Sequence, residues 1–311
     1  MVELSVVVPV YGCADCLEAL HQRLTPVLQA CAASYEIVLV DDCAPDGAWR
    51  VIRQLAAQDS RVRGIRLSRN FGQHAAITAG LAECKGERAV VMDCDLQDPP
   101  EAIAKLVQHA LAGHDIVLAR RKRKKQSRFR QLAASLYFRA LTAVSAHRFD
   151  GEYGAFSIIS RPVIDAYLRF RDRDRHYLFI LYWLGFDASA IEYDHAPRHS
   201  GASAYTLRAL LRHAVNGFVF QTTTLLRWIV YLGFAVSGSG ALLAIYLLYV
   251  YVSRTPPPGW TSLAVLILMI GGFILTSTGV TGLYIGRIFE QVKDRPLYII
   301  DKRVNGEGGK S

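Results

Sequence analysis

Residues 87–113 read "ERAVVMDCDLQDPPEAIAKLVQHALAG". A short apolar run, Val90 to Met92, gives way to Asp93, Asp95 and Asp98, and then to Pro99 and Pro100. The run fits a strand buried on both faces, as in a parallel sheet. Prolines cannot donate to a ladder, so the strand is over by Pro99. Beyond it, 100–113 reads as an amphipathic helix. Three carboxylates at one strand end repel each other and resist burial, so they call for a positive partner.

The same strand–helix unit repeats outward. Strands are expected at 4–10, 35–42, 62–68, 87–93 and 115–120, and helices at 16–31, 47–58, 72–84 and 100–113. Such alternation with tight connections implies right-handed crossovers and a mostly parallel, Rossmann-like α/β sheet covered by helices. Ligands on such sheets bind beyond the carboxyl ends of the strands. There the chain places Tyr11-Gly12, Asp41-Asp42, Ser68-Arg69-Asn70, Asp93 to Asp98, and Arg120. In an extended segment i and i+2 share a side, so Asp93 and Asp95 both face one ion. Hard oxygen ligands suit Mg²⁺ or Mn²⁺, completed by substrate phosphates.

Hydrophobic residues make up 51% of the 311-residue chain, unevenly placed. There is no charge from Trp228 to Val252 or from Thr261 to Gly286. Each stretch exceeds the roughly 20 residues a helix needs to cross a bilayer. "SRTPPPGWT" between them breaks any helix. The expectation is a two-helix transmembrane hairpin, 226–252 and 262–286, after a cytoplasmic domain at 1–203. A juxtamembrane helix at 204–225 and a cytoplasmic tail at 287–311 complete the organisation. Residues 204–221 carry Arg208, Arg212 and His213 opposite an apolar face, as an interfacial helix does. The alternating tail from Ile288 to Val304 is expected on the same surface. "MVELSVVVPVY" lacks a basic stretch and reads as a first strand, not a secretory leader.

The net charge is +9. Arg208, Arg212, Arg227, Arg287, Lys293 and Arg295 flank the spans, against Arg254 alone in the turn. The positive-inside rule therefore puts both termini and the large domain in the cytoplasm. Residues 120–130, "RRKRKKQSRFR", are basic at eight of eleven positions. No helix-turn-helix, finger or RNP pattern accompanies them, so no nucleic-acid partner is expected. Lipid headgroups or a phosphorylated lipid suit them better. Cys13 and Cys16 form one CxxC without a second pair or a histidine cluster, which argues against zinc. The six cysteines read as small buried thiols in a reducing compartment.

The chain resembles glycosyltransferase family 2, of the GT-A fold, and within it the polyprenyl-phosphate transferases of the dolichyl-phosphate mannose synthase type. The resemblance rests on "VVVPVYG", "EIVLVDDCAPDG", "LSRNFGQHAAITAGL", "MDCDLQDPPEAI" and "RHSGASAYTLRALL", in family order over residues 4–300. It implies that Pro9, Tyr11, Asp41 and Asp42 line a nucleotide site. Asp93, Asp95 and Gln97 would hold the metal and the donor diphosphate. Arg120, Arg130, Arg198 and Ser203 would receive phosphates of donor or acceptor, since guanidinium matches phosphate with a two-pronged donor. Glu152 would position the acceptor. Asp95, Glu152, Arg130 and Arg198 are the catalytic candidates. The chain departs from the family pattern at Gly12, Ala44, Ala155 and Ala204.

The implied activity is an inverting hexosyl transfer from a nucleotide sugar, a UDP-sugar by preference, to undecaprenyl phosphate, feeding cell-envelope glycan or lipid modification. A bacterial-type plasma (inner) membrane and homo-oligomers are implied as well. Two rivals stand beside it. A processive polysaccharide synthase would carry more spans and a Q-x-x-R-W motif, and Gln221 and Arg227-Trp228 are too far apart for one. A non-catalytic nucleotide-sugar binder would have no use for Asp93, Asp95 and Gln97 together.

Overall fold

In this computed structural model the described residues are 2–121, 153–173, 175–194 and 260–306, with isolated helical positions between 229 and 249. The strands are β1 (Leu4–Val10), β2 (Tyr35–Asp41), β3 (Val62–Leu67), β4 (Arg88–Val91), β5 (Ile116–Arg121), β6 (Tyr153–Ser160), β7 (Ala188–Tyr193) and β8 (Ile300–Val304). The helices are α1 (Leu17–Cys31), α2 (Ala48–Gln58), α3 (Gln73–Glu83), α4 (Ile103–Leu111), α5 (Arg161–Arg169), α6 (Tyr177–Leu184) and α7 (Trp260–Val292). The five strands and four helices expected from the alternation all form, within a few residues of the expected ends.

The sheet runs β7-β5-β6-β4-β1-β2-β3-β8. β1 is buried along its whole length between parallel neighbours β2 and β4, which explains its unbroken apolar sequence. Alternate strand residues feed two layers. Val6 and Val8 join Leu24 of α1, Ile52 of α2 and Leu106 of α4 on one face. Val7 joins Ile77 of α3, Val163 of α5 and Leu181 of α6 on the other. β6 runs antiparallel between β4 and β5, so β5 keeps the direction of β4. All of β1 to β5 therefore end on one rim.

The sheet is mixed in ways the alternation did not announce. β6 and β7 follow the basic run, and β8 comes from the tail. The tail strand corrects the expectation of a surface-lying segment: Ile300–Val304 pairs antiparallel with β3. Gly64 makes room for it, since a Cβ there would lie 2.6 Å from Val304 Cγ1 and 2.5 Å from Ile52 Cγ2. Arg303 Nη2 donates to Glu83 Oε1 at 2.8 Å, and Asn305 Nδ2 donates to the carbonyls of Ala56 and Val62.

The chain divides into two compact units, one of residues 1–138, 149–203 and 295–311, the other of 139–148 and 204–294. In the second unit α7 runs for 33 residues. Among the described residues no helix is long and apolar enough to cross a membrane. The spans therefore rest on the complete sequence of their segments. The span at 226–252 and the interfacial helix at 204–221 lie largely or wholly outside the described residues.

Candidate active site

The rim is built from the turns after β1, β2, β3 and β4 and from the end of β5. β4 ends at Val91, and the chain turns through Cys94 and Asp95 with Leu96 at φ +61°. Side chains still alternate: Asp93, Asp95 and Gln97 are partly open, while Cys94, Leu96 and Asp98 are buried. Asp93, Asp95 and Gln97 thus stay open on a turn, where the extended-strand argument that put Asp93 and Asp95 on one side does not apply. Gln97 N–H donates to Asp95 Oδ1 at 3.1 Å, which fixes that carboxylate against its own loop.

Asp93 is the electrostatic focus. Burial, and then the neighbouring Asp98 and Asp95, push its carboxyl up to about 7, against the pull of Arg121 and Gln73. Gln73 Nε2 donates to Asp93 Oδ1 at 2.6 Å. Behind this pair, Tyr193 OH donates to the buried Asp98 Oδ1 at 2.5 Å, and Arg121 Nε donates to Tyr193 OH at 3.1 Å. Arg121 Nη2 lies 3.9 Å from Asp98 Oδ1. Among the described residues no three His, Cys, Asp or Glu side chains form a metal-holding group. The residues present fit an ion held by the Asp93 and Asp95 carboxylates and completed by phosphate oxygens, since a desolvated carboxyl crowded by two others is relieved by a cation.

The aspartates ending β2 are engaged locally. Asp42 Oδ1 and Oδ2 accept the N–H groups of Phe71 and Gly72 at 2.7 and 2.8 Å. Asp42 thereby holds the β3–α3 turn, where Gly72 takes φ +95°. Asp41 Oδ1 accepts the Ala44 N–H at 2.8 Å, and Arg66 lies 3.4 Å from Oδ2. Burial raises both carboxyls above the usual range. Pro9 sits inside β1 opposite Val40, whereas Tyr11 stands exposed at the rim.

Strand parity separates Arg120 from Arg121. Arg120 approaches Glu192 at 4.0 Å, and Arg121 continues the Val117–Ala119 face toward Asp98 and Tyr193. Arg130, Glu152, Arg198 and Ser203 fall outside the described residues. Arg121, Gln73 and Tyr193 were missed by sequence reasoning. The parity of β5, counted from its buried residues, is the signal that separates Arg121 from Arg120. Gln73 sits in "NFGQHAA", quoted for the resemblance without a role. Nothing local in the sequence marks Tyr193.

One cysteine expectation is corrected. Cys13 and Cys94, 81 positions apart in sequence, are joined in a disulfide with Cα atoms 6.5 Å apart. They meet because β1 and β4 are sheet neighbours and each cysteine lies just past its strand end. Sequence spacing does not display that adjacency. Cys16, Cys31, Cys43 and Cys84 keep their thiols.

An open α/β sheet with carboxylates gathered beyond the ends of its parallel strands is the arrangement in which such folds bind ligands. The model of Glycosyl transferase family 2 matches residues 5–168, and the chain belongs to that family. It is 34% identical to an undecaprenyl-phosphate 4-deoxy-4-formamido-L-arabinose transferase of Aeromonas hydrophila, over 97% of this chain and 94% of that one. It is 32% identical to a prophage-derived bactoprenol glucosyl transferase of Shigella flexneri, over 98% and 99% of the two chains. An uncharacterized glycosyltransferase of Bacillus subtilis is 34% identical, over 97% and 94%.

Proposed function

We propose that this glycosyltransferase moves a sugar from a UDP-sugar to a polyprenyl phosphate, undecaprenyl phosphate in a bacterial membrane, with inversion at the anomeric carbon. The observation that carries the reading is the Asp93–Asp95–Gln97 turn on the open side of the rim, with Asp93 crowded by acids and backed by Arg121. The names of the two lipid-phosphate relatives support the acceptor class.

A bound Mg²⁺ or Mn²⁺ would neutralise charge growing on the departing diphosphate. The protein's own part is orientation. Asp93 and Asp95 set the pyrophosphate end of the donor, with Gln73 and the Gln97 amide restraining the two carboxylates. Asp42 holds the Phe71–Gly72 turn beside them. Arg121 supplies positive charge behind the turn. An acceptor phosphate is already largely anionic near pH 7, its second pKa being about 6. It needs positioning and partial desolvation more than a base. Arg130, Arg198, Ser203 and Glu152 are proposed for that positioning on the resemblance alone.

The membrane arrangement belongs to the same proposal: a hairpin at 226–252 and 262–286, with both termini and the catalytic domain cytoplasmic. Large apolar side chains exposed along α7, among them Leu263, Ile267, Ile270 and Ile274, support a lipid environment. The test is transfer to undecaprenyl phosphate from a panel of nucleotide sugars with Mg²⁺ or Mn²⁺, read by mass spectrometry of the lipid product. Asp95→Ala should abolish product while the protein stays folded. Full activity in that variant, or no lipid product from any donor, defeats the reading.

A further inference from the structure

We propose that the Cys13–Cys94 disulfide is a redox-controlled latch on the carboxylate turn. The inference rests on the reading of Asp93 and Asp95 as the donor-holding pair. Cys94 is the residue between them, and its side chain points the other way, into the core beside Cys13, Cys16 and Leu96. The bond therefore lies beneath the site and occupies none of it. Its far end is in the turn after β1, which is anchored independently: Ala14 N–H donates to Asp46 Oδ2 at 2.9 Å, and Cys16 N–H donates to the Cys13 carbonyl at 3.0 Å.

The turn needs such an anchor. β4 gives out at Val91, so the ladder stops before Asp93. Beyond it the backbone ladder no longer fixes the turn; Gln73 donates to Asp93, and the Gln97 amide donates to Asp95. Crowded carboxylates push the turn outward until a cation arrives. A covalent tie at Cys94 opposes that push and keeps Asp93 and Asp95 at a fixed separation from the β1 turn. A rigidly held donor set binds an ion more tightly than one that must be gathered first.

The latch opens by reduction. A dithiol delivers two electrons and two protons, the Cys13–Cys94 sulfur–sulfur bond breaks, both residues become thiols, and the reductant leaves as a cyclic disulfide. Closure runs the other way with an oxidised dithiol as acceptor. Both sulfurs belong to residues less than a tenth exposed, Cys13 at 8% and Cys94 at 7%. Exchange with small thiols is therefore slow while the turn is closed, and the state of the latch persists after it is set.

The experiment uses the full chain in detergent, oxidised with oxidised dithiothreitol or reduced with dithiothreitol. Acid quench, denaturation and alkylation followed by peptide mapping reads the bond itself. The oxidised sample should show Cys13 linked to Cys94, and the reduced sample should show both alkylated. Hydrogen exchange without metal should then be about tenfold faster at 93–97 in the reduced form. Mn²⁺ in the presence of UDP should bind about tenfold more weakly to the reduced form. The double variant Cys13→Ser/Cys94→Ala should behave as the reduced form under both conditions.

Alkylation of both cysteines in the oxidised sample, or a Cys13–Cys16 linkage instead, overturns the latch. So does equal exchange at 93–97 in the two states. Faster exchange on reduction, with Mn²⁺ binding to neither form, supports the latch and removes the metal role proposed above.

Discussion

Gln73, in the first turn of α3, donates its side-chain amide to Asp93 Oδ1 at 2.6 Å and so joins the β3–α3 turn to the end of β4. The bond lies within the single β3–α3–β4 crossover, whose strands are separated in the sheet by β1 and β2, and it orients the Asp93 carboxyl. Gln73→Ala should raise the metal concentration at half-maximal rate by about tenfold, the usual cost of losing a ligand's orienting partner. Gln73→Glu should be worse, because it adds a further acid to the two already crowding Asp93 and removes the donor. Initial rates across a Mn²⁺ titration distinguish the two. Equal titrations for wild type and Gln73→Ala would show that Asp93 is held by other means.

Tyr193 and Arg121 stabilise Asp98, a carboxylate only 1% exposed. Tyr193→Phe removes a charge-assisted donor and should cost about 1–3 kcal/mol. Thermal unfolding of the purified protein reads it as a drop of several degrees. The effect should be smaller in an Asp98→Asn background, where the charge that Tyr193 serves is gone.

The tail strand should matter more than its ion pair. Arg303 and Glu83 side chains are 33% and 22% exposed, so Arg303→Ala should cost less than about 1 kcal/mol. Ending the chain at Ile299 uncovers the β3 edge and removes the packing of Val304 over Gly64. That truncation should lower the unfolding midpoint far more than Arg303→Ala and should promote aggregation through the bare edge. Gly64→Ala should behave like a mild form of the truncation.

His176 gives stability a dependence on acid. Burial, and then the adjacent His74, hold its imidazole down to about 4. The unfolded chain, with an ordinary histidine near 6.5, binds the proton more readily between those values. Stability from the neutral ring is therefore present in full above about pH 6.5 and is lost as pH falls through about 4, by about 3 kcal/mol in all. Unfolding midpoints from pH 4 to 7 should rise more steeply in wild type than in His176→Phe. Parallel profiles would assign the acid sensitivity elsewhere.

The first five strands and four helices were legible because each strand is a continuous apolar run and each helix an amphipathic one. β6, "YGAFSIIS", is hard to read from the sequence because it follows a long basic run and not an amphipathic helix. β7, "ASAIEY", is an edge strand with little apolar signal. β8 was taken for surface because its alternation of charge and apolar residues suits an interface as well as a sheet edge. The carboxylates of the rim declared themselves by type and position. Their supports did not, since Gln73–Asp93 and Tyr193–Asp98 join residues 20 and 95 positions apart. Only the sheet order brings them together.

The return of the chain at β8 also orders events during synthesis. The strand that covers β3 leaves the ribosome about ninety residues after the preceding part of its unit ends at 203. Until then the β3 edge lies bare, and a nascent chain in that condition can pair with its neighbours. The catalytic unit is therefore finished only once the whole apolar segment of 204–294 has been translated.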